Sequence, residues 1–138
     1  LLGTDYLSKQ IVTRFDNEQR NYDAFTKISF IYPHAVASLK VGQGVKSEGE
    51  MIVSGTKGYI YVPAPWWKTD YFEVRYENPH NNRRYFYQLD GEGLRYELLS
   101  FLKTIRSGRD FNYVADSMSE EIVRVLADFY NRKDMTVI

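Results

Sequence analysis

"RRYFYQLDGEGLRYELLSFLKTIRSG", residues 83–108, changes its hydrophobic period in the middle. Residues 83–89 are rich in aromatics and read as a β-strand. Beyond the two glycines, Leu94, Leu98, Phe101, Leu102 and Ile105 recur at helical spacing and form one apolar stripe that stops at Gly108. The switch from period 2 to period 3.6 separates a run of strands upstream from helices downstream.

Upstream, the alternation continues. Residues 71–77, 59–63, 51–55, 35–41 and 22–32 carry strand patterns, with turns at 33–34, 55–58 and 78–82. The glycines of Gly55-Thr56-Lys57-Gly58 suit a hairpin turn. "GQGVKSEGE", residues 42–50, reads as a flexible connection or bulge, and "DNEQRN", residues 16–21, as a polar turn after residues 8–15. Leu1-Leu2-Gly3 reads as the last turn of a helix whose earlier part precedes the chain.

Downstream, a second helix is expected to begin near Ser117, with Glu120 three residues on as a capping box. Met118, Ile122, Val125, Leu126 and Phe129 form its apolar face, and residues 135–138 add a short strand. Grouped strands followed by grouped helices predict an α+β domain over residues 1–138. The expected architecture is a single, mainly antiparallel, open-faced sheet of about six or seven strands, with two C-terminal helices packed on one face. Its other face would need a partner, because large exposed apolar patches mark interfaces.

Composition narrows the function. Lys+Arg and Asp+Glu are both 18, which argues against a nucleic-acid binder and against attraction to an anionic membrane. Without cysteine there are no disulfides, no thiolate catalysis and no Cys-rich zinc sites. No stretch reads as a signal peptide or approaches the roughly 18–20 apolar residues of a membrane span. A cytoplasmic domain is expected.

The usual catalytic and metal signatures are missing. Lys46-Ser47 follows Val45 rather than the glycine of a phosphate loop, and Ser47 stands where G-x-G-x-x-G needs its third glycine. His34 and His80 fall in turns without metal-ligand spacing. Ser54 lies outside a G-x-S-x-G elbow. Glu73 and Glu77 alternate with Arg75 as a solvated strand face does, and Arg83-Arg84 reads as a charged strand start.

What stands out is "PAPWWK", residues 63–68, within a region where ten aromatic residues fall between positions 59 and 87. Prolines lower the ordering cost of a loop. An indole offers a flat face for a sugar ring or a nicotinamide-like plane, with one N–H for orientation. Each tryptophan can instead pack on the sheet or a neighbour; at least one is expected to contribute to a ligand or partner surface.

"GTKGYIYVPAPWWKTDYFEVRYE", residues 55–77, and "GEGLRYELLSFLKTIRSGRD", residues 91–110, carry a resemblance to the C-terminal domain of the Gfo/Idh/MocA oxidoreductases, in the branch that includes dihydrodiol dehydrogenases. The shared patterns are G-T-x-G-x-I-x-x-P-x-P-x-W at residues 55–67, G-x-G-x-x-Y-E at residues 91–97, and the pair Asp116-Ser117. The resemblance spans nearly the whole chain. It implies part of an NAD(P)-dependent enzyme whose N-terminal Rossmann domain binds NAD or NADP and supplies the lysine of a Glu-Lys-Pro motif. The C-terminal domain shapes the substrate pocket and dimerises through its open sheet face.

The chain departs from that pattern. It contains no G-x-G-x-x-G, no Glu-Lys-Pro and no Asp-x-x-x-His helix, and neither His34 nor His80 matches. No catalytic, cofactor-binding or metal-ligating residue is carried over. The expectation is a substrate-binding and dimerisation domain of an oxidoreductase acting on a sugar-like or polyol hydroxyl, with Trp66, Trp67 and Lys68 at the pocket rim. It would be inactive by itself, bind no cofactor, and be cut near the junction with a Rossmann domain that this chain lacks. Its expected partners are a second copy, that Rossmann domain and a small-molecule substrate, with no nucleic acid and no membrane. The alternative is a stand-alone carbohydrate-binding or scaffold module that uses the Trp66-Trp67 loop.

Overall fold

A computed structural model describes residues 1–16, 22–88 and 90–138. The described residues form an α+β arrangement with eight strands in two four-stranded, mainly antiparallel sheets, and two α-helices. The chain divides into two compact units, residues 1–46 with 113–138, and residues 47–112.

The first unit holds β1 (Ser8–Phe15), β2 (Asp23–Ile31), β3 (Val36–Val41), α2 (Asp116–Tyr130) and β8 (Met135–Val137). Its strand order is β3-β2-β1-β8. β1, β2 and β3 form an antiparallel meander, and β8 returns parallel to β1. Alternation decides what this sheet buries. Ile11, Thr13 and Thr26 lie on one face, with Ile11 and Thr13 fully buried and Thr26 nearly so.

Two buried threonines would be costly without partners. They lie Oγ1 to Oγ1 at 2.8 Å, and their two protons are shared among that contact, the Phe25 carbonyl 3.2 Å from Thr13 Oγ1 and Asp23 Oδ2 3.1 Å from Thr26 Oγ1.

α2 covers this face. Phe129 packs on Phe15 with ring centroids 6.2 Å apart. Tyr6 donates to Glu121 at 2.5 Å, and Lys9 pairs with Asp128. The capping box at Ser117 is not formed: the helix starts one residue earlier, its N-cap is Ala115, and no side chain caps it. With Ser117 already inside the first turn, its hydroxyl is not at the N-cap position that the motif requires.

The second unit holds β4 (Met51–Gly55), β5 (Gly58–Val62), β6 (Tyr71–Tyr76), β7 (Arg83–Phe86) and α1 (Leu94–Ser107), in sheet order β4-β5-β6-β7. All three neighbouring pairs are antiparallel. Register places Val53, Ile60 and Val74 in one apolar row, with Val62 buried beside Met51. Phe72 stacks on Tyr85 across β6 and β7 at 5.1 Å. α1 ends at Gly108 as its apolar stripe predicts. Leu94, Leu98, Phe101, Leu102 and Ile105 all stand roughly half exposed, between 45 and 62%.

Two sheets therefore replace the single sheet of six or seven strands that alternation suggests. The physical reason lies between β3 and β4. After β3 the chain does not turn tightly: it runs on beside β2, with Gly44 N–H donating to the Ala24 carbonyl at 3.0 Å. β4 then starts afresh and pairs with β5 alone. The helices divide accordingly, α2 with the first unit and α1 with the second. Residues 17–21, most of the predicted polar turn, and Leu89, the last residue of the predicted strand 83–89, lie outside the described residues. Leu1-Leu2-Gly3 carries no helical turn, although Gly3 has the left-handed φ of +75° suited to a helix end. No described helix is long and apolar enough to cross a membrane.

Candidate functional site

β5 and β6 of the second unit hold the tryptophan loop between them. Its entry follows Val62 and its exit is fixed by β6, whose first residue Tyr71 pairs with Phe86. The loop is tied at three further points. Trp66 N–H donates to the Gly49 carbonyl at 2.8 Å, Lys68 N–H to the Pro65 carbonyl at 2.9 Å, and Tyr87 N–H to the Asp70 carbonyl at 2.6 Å. The Ala64–Pro65 peptide bond is cis.

Gly49 permits a close approach. A Cβ there would lie 3.1 Å from Cζ3 of Trp67, so the indole would have to give way by a few tenths of an ångström. The indole of Trp67 thus lies against bare backbone, and Trp66 meets Trp67 edge to face at 6.0 Å and 88°. Both tryptophans remain about half exposed, at 49 and 57%. Neither is buried beneath the second sheet.

Beside the loop lies a cleft of about 550 Å³. Pro65, Trp67, Lys68, Asp70, Tyr71 and Gln88 are among the residues that line it. Of the three residues singled out in the sequence, Trp67 and Lys68 line this wall, whereas Trp66 stands outside it as an edge-on buttress to Trp67. Asp70, Tyr71 and Gln88 escaped sequence reasoning. Gln88 reaches the cleft only because antiparallel pairing of β6 with β7 carries the chain beyond Phe86 back past Thr69, so the missing signal was register. A flat indole, a cation, a carboxylate, an amide and a hydroxyl around one concavity can stack on a ring and exchange hydrogen bonds with several hydroxyls.

The β6 carboxylate belongs to a different arrangement. Glu73 takes Arg84 at 2.5 Å on one oxygen and Arg75 at 2.6 Å on the other. Arg75 also lies over the Tyr61 ring at 4.3 Å, and Arg84 over Tyr71 at 4.7 Å. The hydrogen bond from Arg84, then that from Arg75, holds the Glu73 carboxyl below its ordinary pKa. A carboxylate so held accepts charge-assisted bonds but is a poor general base at neutral pH.

Its folded pKa lies below its unfolded value of about 4.3, so it stabilises the fold above that pH. The contribution disappears as pH falls through the depressed folded value. Acid unfolding followed by tryptophan fluorescence, between roughly pH 5 and pH 2, should therefore show a shallower acid limb for Glu73→Gln than for the natural chain.

A second cleft, of about 370 Å³, lies in the first unit over Lys9. The Lys9 side chain is only 4% exposed and pairs with Asp128 and, at 3.0 Å, with Asp134. Burial alone would push this ammonium down, yet the two carboxylates outweigh it and hold its pKa above the ordinary lysine value. Lys9 stays protonated and cannot serve as a neutral amine nucleophile. Its role is to clasp α2 and the turn before β8 onto β1. His34 and His80 are both exposed, and His80 N–H donates to the Asn78 side chain in the 3₁₀ turn Pro79–Asn81. Among the described residues no three His, Cys, Asp or Glu side chains are grouped to hold a metal ion.

No family model matches the chain, and no curated protein matches it.

Proposed function

We propose that this chain is the substrate-side and dimerisation domain of an NAD(P)-dependent oxidoreductase of the Gfo/Idh/MocA type, acting on a sugar-like or polyol hydroxyl. The observation that carries this reading is the cleft walled by Trp67, Lys68, Asp70 and Gln88. An aromatic plane beside several hydrogen-bonding groups suits a hydroxyl-rich ring better than a purely apolar ligand, which would leave those groups unpaired. The motifs at residues 55–67 and 91–97 support the family, and the half-exposed apolar stripe of α1 supports a chain that works against a partner. The cofactor and the hydride chemistry belong to a Rossmann domain outside these residues. A sheet face is the surface through which a second copy would dock.

One observation favours a second reading. Among the described residues, all those that line the cleft come from positions 63–88, within the second unit. A stand-alone carbohydrate-binding module would need no more.

Tryptophan fluorescence titrated with methyl glucoside and D-glucitol tests the shared claim. A saturable change is expected, lost in Trp67→Ala and weakened less in Trp66→Ala. Base or ring stacking on an aromatic side chain is worth about 1–3 kcal/mol, so Trp67→Ala should weaken binding by roughly 5- to 150-fold. Equal losses at both tryptophans, or no saturable change, would overturn the assignment of the cleft. Calorimetry with NAD and NADP on the product of the full open reading frame separates the two readings. Cofactor binding by that product supports the oxidoreductase, and its absence supports the stand-alone module.

A further inference from the structure

The cleft beside the tryptophan loop holds fewer open polar groups than its lining suggests. Pro63 and Pro65 carry no N–H. Lys68 N–H donates to the Pro65 carbonyl, and the Asp70 carbonyl accepts from Tyr87 N–H. The Thr69 hydroxyl donates to the Tyr71 carbonyl at 3.1 Å. One face of the Tyr71 ring is taken by Arg84, 4.7 Å from its centre. The Asp70 carboxylate and the Gln88 carboxamide differ from these groups. Both side chains line the cleft, both residues are exposed, and neither makes a side-chain hydrogen bond or ion pair among the described residues. Asp70 is the one carboxylate among the described residues of the lining.

The backbone holds Asp70 in place. Tyr71 pairs with Phe86, and the Tyr87 N–H to Asp70 carbonyl bond, at 2.6 Å, continues that ladder one rung outward. Gln88 follows on the next rung. Trp67 lies three residues before Asp70, its indole against Gly49, whose carbonyl accepts from Trp66 N–H. The stacking plane and the carboxylate are therefore both anchored to strand-end backbone, which is the condition for a precise site.

A carboxylate presents two acceptor oxygens and no donor. Hydroxyls on adjacent carbons of a sugar or polyol present two donors side by side, as the paired N–H groups of a guanidinium do when a carboxylate binds them with both oxygens. A lone hydroxyl, or a diol with one oxygen removed or alkylated, fills only one of the two positions.

We propose that Asp70 selects a free vicinal diol, its two oxygens accepting from adjacent hydroxyls of a polyol stacked on Trp67, while the Gln88 amide bonds a neighbouring ligand oxygen. This rests on the reading of the cleft as a polyol site and narrows the substrate class to polyols with an unsubstituted pair of adjacent hydroxyls. Asp70 is open to water when no ligand is bound, so the selectivity is that of a charge-assisted contact competing with water, about tenfold for each hydroxyl.

The test titrates the full chain by tryptophan fluorescence with methyl glucoside and each of its monodeoxy analogues. Two analogues, lacking hydroxyls on adjacent carbons, are expected to bind roughly tenfold more weakly than the parent sugar. Asp70→Asn keeps the shape but replaces one acceptor oxygen with a donor. In this variant the parent sugar is expected to bind roughly tenfold more weakly, and those two analogues to lose little further, the signature of coupled groups. The backbone carbonyl that holds Tyr87 is untouched, and circular dichroism checks the fold. Should Asp70→Asn fail to fold, Asp70→Ala serves, with the same loss expected. Saturable binding in which the folded variant discriminates as the natural chain does would overturn the role of Asp70 and leave the cleft assignment intact. So would a natural chain for which fewer than two adjacent hydroxyls matter. A natural chain that binds none of the probes would overturn this inference and the polyol reading together.

Discussion

Ile11→Ala is expected to destabilise the first unit by about 2–5 kcal/mol, the range for emptying a fully packed aliphatic site. Ile11 is completely buried, sits opposite Ile28 on one side and Met135 on the other, and is one of only two buried hydrophobic side chains among the described residues. Its neighbours on the same face are the Thr13–Thr26 hydroxyl pair and the Lys9 clasp. None of these can slide into the vacated space without breaking a hydrogen bond or an ion pair, so the cavity should persist rather than collapse.

Against a total stability of roughly 5–15 kcal/mol for a typical protein, the loss is a large fraction. Urea unfolding followed by far-ultraviolet circular dichroism measures it as a fall in midpoint at constant slope. Gln10→Ala, one residue away on the exposed face, should stay within about 0.5 kcal/mol of the natural chain. Comparable shifts at both positions would show that Ile11 is not the centre of this core.

Gly58→Ala is the second change expected to act strongly, in the other unit. Gly58 has a φ of +158° and pairs with both Gly55 and Tyr76. A Cβ at this position would run into the carbonyl oxygen and carbon of Arg75, backbone atoms of the adjacent strand that no rotamer change can move aside. The variant must open the β5–β6 pairing or shift its register, and either response disturbs the strand that leads into the tryptophan loop.

Overpacking of this kind costs about 1–3 kcal/mol, and the unfavourable backbone angle about 1–2 kcal/mol more. A total of about 2–5 kcal/mol is expected, read by tryptophan fluorescence because both indoles lie in this unit. Gly91→Ala provides the contrast. Its φ of +63° strains an alanine, but nothing lies within 4 Å of the added methyl. It should cost only about 1–2 kcal/mol. If Gly58→Ala proved no worse than Gly91→Ala, the close strand approach would not be what Gly58 serves.

The two positions differ in how far sequence reasoning reaches them. Gly55 and Gly58 flank a turn between alternating segments, so a special role for glycine there was legible. That the clash partner is the Arg75 backbone was not, because it depends on which strand lies next to β5. Ile11 sat in a mostly polar segment, with Val12 as its one aliphatic neighbour in residues 8–15. Its depth comes from being flanked on both sides, by β2 and by a β8 that arrives more than a hundred residues later. Likewise Trp67 and Lys68 were conspicuous by chemistry alone, whereas Trp66 proved to be a buttress. Asp70 and Gln88 carried no local mark.

The α+β class and the order and approximate limits of the strands and of both helices were legible in the chain before any folding was considered. Each of those follows from short-range periodicity and turn-forming residues, which act within a few positions along the chain. The division of the strands between two sheets, the return of β8 beside β1 and the joining of Gln88 to the loop residues around one cleft came from long-range pairing. The Glu73 carboxylate, read from alternation as part of a solvated face, proved to be held between two guanidiniums. Pairing between strands is a contest among distant segments with similar patterns, and alternation sets which face a residue takes without naming its neighbour.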